Sequence, residues 1–188
     1  MKNFKSISIV LLFFCFFIQA NAQTKKINIS KSKITWIGKK ITGEHEGIVK
    51  LKEGYFVFKN KKLEGGKFIV DMQSLSNTDQ TGSSQAKLEG HLKSEDFFGV
   101  AKHPTATLVF KSIADKGKNT YLVNADLKIK GITNPIQFEL TIKGNTATSD
   151  LVINRTKYDI KYSSGSYFDD LGDKTIYDEF DLKVALVY

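Results

Sequence analysis

The sequence predicts an all-β fold: about eight antiparallel strands, arranged as one sandwich or one barrel, with a single short helical segment that caps one end. Three observations carry this. Most of the chain alternates apolar and polar residues with a period of two, most regularly over residues 121–142, which is the pattern of strands buried on one face. That alternation breaks at residues 88–98, where Leu88 and Leu92 lie four apart and share a helical face. Turn-forming Gly, Asn, Asp and Ser separate the apolar runs at short intervals. No internal repeat or linker divides the chain, so the elements form one domain.

Taken in order, residues 33–42 form the first strand, with Ile34 and Trp36 in phase. The glycines of residues 43–47 predict a turn, residues 48–51 the return strand, and Lys52, Glu53 and Gly54 another turn. Residues 55–58 (YFVF) resume the strand and residues 61–66 connect. Phe68, Val70 and Met72 alternate with Lys67, Ile69 and Asp71 as a half-buried strand, and residues 74–84 read as a loop. Ser94 is placed as the N-cap of a new helical turn, with Glu95 and Asp96 where negative charge suits the helix dipole. Phe97 and Phe98 form an aromatic plug, and Gly99 stops it. Residues 105–110 form a strand with Ala106, Leu108 and Phe110 in phase.

Next comes a long hairpin. Tyr121, Val123, Ala125, Leu127 and Ile129 face inward, residues 131–135 (GITNP) turn, and Ile136, Phe138, Leu140 and Ile142 face inward again. Residues 151–160 are read as a strand with an irregularity at Arg155, Thr156 and Lys157. Residues 163–174 are a polar loop, and Phe180, Leu182, Val184 and Leu186 close the chain in phase. An eight-stranded barrel is wide enough to hold a small ligand as well as side chains.

The first 22 residues are set apart. Lys2 and Lys5 precede an apolar run over residues 7–18, and Ala20-Asn21-Ala22 has the small-x-small form of a signal peptidase site. The run is shorter than the roughly 20 residues that span a bilayer. Cleavage after Ala22 is expected, leaving a mature domain of residues 23–188 in the periplasm or outside the cell. Cys15 is the sole cysteine and departs with the leader, so no disulfide is expected.

The formal charge is +8, and Arg155 is the only arginine. The lysines sit singly at outward positions such as Lys50, Lys52, Lys128, Lys130 and Lys143, which describes a solubilising surface. Nucleic-acid binding favours arginine forks and clustered patches instead. His45, His91 and His103 lack the short spacing of a metal-ligand set. Asp169, Asp170 and Asp173 lack the alternating carboxylates of a calcium loop. No Gly-x-Ser-x-Gly motif or cysteine offers a nucleophile in the domain, so no cofactor, metal or catalytic residue is expected.

The chain resembles the YceI-like family, the polyisoprenoid-binding, lipocalin-like proteins. The resemblance rests on Ile34-Thr-Trp36, Gly43-x-His45-x-Gly47, HLKSEDFF at residues 91–98, Pro104-x-Ala106, DLKIKGIT at residues 126–133, Pro135, and Asn154-Arg155-x-x-Tyr158-x-Ile160. It runs through nearly all of the mature chain. The resemblance implies an exported, lipocalin-like antiparallel barrel with a helical cap, binding an isoprenoid, an isoprenoid quinone or a fatty-acid-like lipid inside. The loop at residues 167–173 is longer and more acidic than the family's core pattern.

The expected ligand-binding residues are the inward set Phe68, Val70, Met72, Phe110, Val123, Leu127, Ile129, Phe138, Leu140 and Leu182, with Leu88, Leu92, Phe97 and Phe98 at the cap. Trp36 either lines the cavity or plugs the barrel floor. Arg155 faces inward to meet either a ligand headgroup or a structural carboxylate. Transient membrane contact and a homodimer are compatible with this reading. Two rival readings stand beside it: a lipid-modifying enzyme using His45 or His91, and a packed barrel serving as an interaction module.

Overall fold

The computed structural model describes residues 22–188, so the segment expected to be a leader lies outside it up to residue 21, Cys15 included. Nine strands and one helix run in chain order: β1 Ala22–Lys26, β2 Lys33–Lys40, β3 Gly43–Lys59, β4 Lys62–Asn77, α1 Gly82–Lys93, β5 Thr105–Gly117, β6 Thr120–Ile129, β7 Ile132–Lys143, β8 Thr146–Asn154 and β9 Ile176–Val187. Every strand pair is antiparallel. The order β3-β2-β9-β8-β7-β6-β5-β4 returns to β3 through a β3–β4 ladder, so eight strands close a barrel. Between sandwich and barrel, closure decides for the barrel, and it leaves no open edge within that ring. The ninth strand, β1, extends the same edge of β3 that β2 pairs with: β2 covers residues 43–49 of β3 and β1 covers residues 55–59.

Several sequence-expected turns prove to be strand. Residues 43–47 open β3, and the turn before it is Ile41–Thr42. Lys52, Glu53 and Gly54 mark a register shift inside an unbroken β3, not a turn. The chain reverses at Asn60–Lys61, so residues 62–66 already belong to β4, which runs on through residues 74–77. Likewise Lys130–Gly131 alone makes the β6–β7 turn, with φ of 48° and 81° in the left-handed region that two-residue hairpins need. The misleading glycines serve another purpose. A Cβ on Gly54 would stand 2.7 Å from the Phe68 ring, and one on Gly66 would stand 3.0 Å from Phe110. They are gaps in the wall that admit aromatic rings.

The helix also begins earlier than expected. Residues 82–84 are its first turn, and Ser94 is its C-cap, not an N-cap: both its amide and its hydroxyl donate to the His91 carbonyl. Leu92 is the one buried residue of α1. Beyond the cap the chain makes a compact turn in which Gly99, at φ 56°, donates to the Ser94 carbonyl and turns Phe97 and Phe98 over the barrel mouth. Lys130 fastens this turn by donating to the Glu95 and Asp159 carbonyls, a structural role beyond solubility. On the far side, β8 stops at Asn154, and Arg155–Tyr158 forms a 3-10 turn that ends with Asp159 at φ 57°. The sequence-expected strand of residues 151–160 is thus half strand and half turn.

Tight packing at one crossing generates a prediction. A Cβ on Gly47 would lie 1.9 Å from the Ser76 carbonyl and 2.5 Å from the Trp36 ring, so β3, β4 and Trp36 must separate to admit it. Gly47→Ala is expected to destabilise the barrel by about 1–3 kcal/mol, read as a melting temperature lower by roughly 2–4 °C per kcal/mol. An unchanged melting curve would show that the crossing opens without cost.

Candidate functional site

The barrel interior divides into a packed floor and a hollow upper part. At the floor, Phe56 meets Phe68, Phe110 and Tyr188 with ring centroids 5.0, 6.2 and 5.2 Å apart, and Phe110 meets Phe138 at 5.9 Å. These are mostly edge-on or tilted contacts of the kind aromatic pairs prefer. Above them lies a cavity of ≈ 180 Å³. One water needs only about 10–15 Å³, so this space is many times larger than a packing defect.

Most of the sequence-expected residues converge on this space. Trp36, Phe68, Val70, Met72, Leu92, Phe97, Phe98, Phe110, Leu127, Ile129, Phe138, Leu140, Arg155 and Leu182 all line it. Two do not. Val123 is fully buried but lies toward the packed floor, two residues beyond Ala125, and Leu88 sits on the flank of α1, only partly covered. The phase of β6 agrees with the sequence pattern, whereas depth along the strand has no sequence signal. Lining residues that the sequence reading does not single out include Ile34, Val49, Leu51, Phe56, Leu75 and Leu151. Each shares the inward phase of its strand; Ile34 and Leu151 lie in stretches already read as strands, whereas Val49, Leu51, Phe56 and Leu75 lie in stretches that read as short strands or a loop.

Three inward polar groups of the wall are engaged by main-chain carbonyls. The Trp36 indole donates to the Ser76 carbonyl at 3.2 Å, so Trp36 lines the cavity while pinned to β4. The Ser149 hydroxyl donates to the Glu139 carbonyl at 2.7 Å. Arg155, 3% exposed, donates from Nε to the Tyr177 carbonyl, from Nη1 to Ile160 and from Nη2 to Ile176, at 3.0, 2.8 and 2.9 Å. It also sits 3.8 Å from Asp178 and over the Phe97 ring. Its partners are therefore main-chain carbonyls first and a carboxylate second.

Arg155 closes a defect in the wall. Gly38 pairs with Phe180 and Lys40 with Ile176, so two steps along β2 face four along β9. Tyr177 lies in this bulge and Ile176 closes it opposite Lys40; since β8 has stopped opposite Glu179, Arg155 takes up the carbonyls of both. Asp178, in the same bulge, accepts from the Ser164 and Ser166 hydroxyls. Burial pushes the Asp178 carboxyl up, but the two hydroxyls and Arg155 outweigh it and hold the group below its ordinary value of 3.8.

The histidines lie elsewhere. His45 Nδ1 meets Asp79 at 2.8 Å on the outer surface, beside Asn77, which binds Asp79 and the α1 residue Glu89. His91 stacks edge-on against Phe97 and Tyr162, its centroid 4.5 Å from Tyr162. His103 packs beside Gly131. Neither His45 nor His91 lines the cavity, and no three His, Cys, Asp or Glu among the described residues cluster as metal ligands. Among the described residues no helix is long and apolar enough to cross a membrane.

Sequence comparison matches residues 25–188 to the family described as the YceI-like domain. A UPF0312 protein of Shewanella denitrificans is 37% identical over 94 residues, which is 50% of this chain and 45% of that protein. A UPF0312 protein of Azotobacter vinelandii is 33% identical over 84 residues, covering 45% and 42%. The matches thus span a little under half the length of these curated relatives. Among solved structures, BcnA of Burkholderia cenocepacia superposes with a TM-score of 0.66 at 23% identity, covering 86% of this chain and 99% of that one. A polyisoprenoid binding domain from Saccharophagus degradans superposes with a TM-score of 0.58 at 13% identity, covering 89% and 97%. At these identities the likeness is one of fold.

The clamp can be tested from both of its charged sides. Arg155→Ala removes the partner of three carbonyls, that of Ile160 buried and those of Ile176 and Tyr177 partly so, and of Asp178, and is expected to cost about 3–5 kcal/mol in chemical denaturation; a loss under about 1 kcal/mol would show that water substitutes freely. Asp178→Asn tests the pH sign. Because the folded carboxyl is held below 3.8, its contribution is complete above that value and fades as pH falls through the lower folded value. The variant should be less stable than wild type at neutral pH, with the gap closing in more acidic buffer. A gap constant across that range would refute the pairing.

Proposed function

Because this chain belongs to the YceI-like family, we propose that it is an exported, non-catalytic carrier that sequesters or transports a hydrophobic molecule, an isoprenoid, isoprenoid quinone or similar lipid, within its barrel. The observation that carries the reading is the upper cavity, lined almost wholly by apolar side chains, whose inward polar groups Trp36, Ser149 and Arg155 are engaged by main-chain carbonyls. Such a wall binds by excluding water from a hydrocarbon chain, worth about 25 cal/mol per Å² of apolar surface covered. No histidine or cysteine is among the residues that line it. The Saccharophagus neighbour, described as polyisoprenoid binding, supports the ligand class. The leader ending at Ala22 supports export to the periplasm or beyond, and transient contact with a membrane is the natural way to load so insoluble a cargo. An intact mass starting at Gln23 is the expected check on export.

The deciding experiment is organic extraction of protein purified from its native source, followed by mass spectrometry. A hydrophobic compound near one per chain is expected; an empty protein that also fails to bind added prenyl alcohol would overturn the reading. Position within the barrel is tested by Leu127→Trp. Leu127 lines the hollow part, so the larger ring fills ligand space instead of straining a packed core. Delipidated Leu127→Trp should unfold within about 1 kcal/mol of wild type, whereas overpacking a full core costs about 1–3 kcal/mol. It should also lose the rise in melting temperature given by saturating geranylgeraniol, which represents about 2.7 kcal/mol at 100 times the dissociation constant. A variant that keeps that rise would place the ligand elsewhere.

A further inference from the structure

The two ends of the barrel differ in what they show to solvent. At the floor end the hairpins turn on Asn60–Lys61, Lys118–Asn119 and Gly144–Asn145, which are short and polar. At the mouth end the connections carry apolar side chains instead. Among the described residues nine large apolar side chains are exposed, and six stand here: Ile41, Ile132, Tyr162, Tyr167, Phe168 and Tyr177. Of the other three, Ile29 is at the floor end, and Tyr55 and Val152 are on the strand walls.

The loop that carries most of these rings is fixed from below. The carbonyl of Ser164, a residue wholly buried, accepts from the Tyr167 and Phe168 amides, and its hydroxyl donates to Asp178. Ile176 donates its amide to the Ser163 carbonyl and Ile41 to the Thr175 carbonyl, which stitches the loop to the β2–β3 turn. On the other side the Tyr162 ring meets His91 and Phe97, at 4.5 and 6.0 Å. The patch therefore borders both the cap and the seam where β2 and β9 lose register, and Ile176 and Tyr177 of that seam belong to the cavity wall. Holding half-exposed rings in water forgoes the burial that such side chains ordinarily gain. Apolar patches of this kind mark contact surfaces.

Resting on the carrier reading, we propose that the mouth end docks on a lipid bilayer, with the Tyr167 and Phe168 rings entering the headgroup layer. Two features favour a bilayer as the occupant. The patch is continuous with the mouth of an apolar cavity, so a hydrocarbon cargo passes between membrane and barrel without crossing water. Charges of both signs also accompany the rings: Lys40 and Glu44 flank the β2–β3 turn, and the loop carries Lys161 and Lys174 with Asp169, Asp170 and Asp173. That mixture complements the phosphate and ammonium groups of a zwitterionic headgroup layer and gives no preference for an anionic one. Tyrosine, apolar in body and polar at its tip, is a residue that settles at such interfaces. Apolar contact drives the docking, so it persists when salt screens the charges.

The test is flotation of the purified protein with vesicles of phosphatidylcholine and phosphatidylethanolamine. Wild type is expected to float with them in low and in high salt. The double variant Tyr167→Ser, Phe168→Ser should bind at least about tenfold more weakly. Ile29→Ser, at the floor end, should float like wild type. Neither Tyr167 nor Phe168 lines the cavity, so the double variant should keep its melting temperature and the rise given by geranylgeraniol. A wild type that stays in solution, a double variant that floats equally well, or an equal loss in Ile29→Ser would overturn the docking face. Binding confined to vesicles containing phosphatidylglycerol and abolished by salt would assign the contact to the lysines and overturn it as well. A wild-type dimer that the double variant disperses, with no flotation, would give the patch to a second copy of the chain. The carrier reading fails separately, by absence of the geranylgeraniol rise in wild type.

Discussion

A buried guanidinium must find acceptors for its N–H groups or cost several kcal/mol, and in this barrel that requirement shapes the wall that matters. Arg155 projects from the 3-10 turn that ends β8 and reaches across to β9, where the β8–β9 ladder has stopped at Asn154 and Glu179 and the Ile176 and Tyr177 carbonyls lie beyond it. The two needs cancel. The end of that ladder supplies acceptors for a charge that would otherwise not tolerate burial, and the charge satisfies carbonyls that β8 no longer reaches. Lys130, tying the cap turn to Asp159 just beyond the same 3-10 turn, joins cap and seam into one unit.

The barrel consequently has two ends of different character. The floor is a layer of rings packed edge to face, reached through strand glycines that give the rings room. The upper end is roofed by Phe97 and Phe98 from a turn, not from the helix itself; Phe98 stands 6.3 Å from Phe180 on β9. The helix contributes mainly position. Gln85 and Glu89 bind the main chain of Asn77 at the end of β4, fixing where the cap turn begins.

Much of this is legible in the sequence because period-two burial is a one-dimensional property. The inward phases of β4 to β7 and β9, the cap aromatics, the stop at Gly99 and the break at Arg155 can all be read from residue order. Depth cannot, because Val123 and Leu127 share a face and a phase, and only closure of the ring puts one in the packed floor and the other beside the cavity. The glycines mislead for a related reason. A glycine under a ring and a glycine in a turn look alike until the partner strand is known, and the partners of Gly54 and Gly66 come from β4 and β5. Arg155 belongs inside, as its strand phase indicates, but its main partners are backbone carbonyls, which carry no sequence signature.

A hollow core gives up dispersion contacts that a filled one would have, so the stability of this barrel must come from elsewhere. The closed ladder satisfies the wall's backbone groups whatever fills the centre, and the aromatic floor and the clamped seam hold its two ends. Between them, the inward side chains of β4 to β7 border empty space and forgo contacts that a filled interior would supply. Under the proposed carrier function that space belongs to hydrocarbon, and because apolar contact has no directional demand a single wall then accepts chains of differing shape.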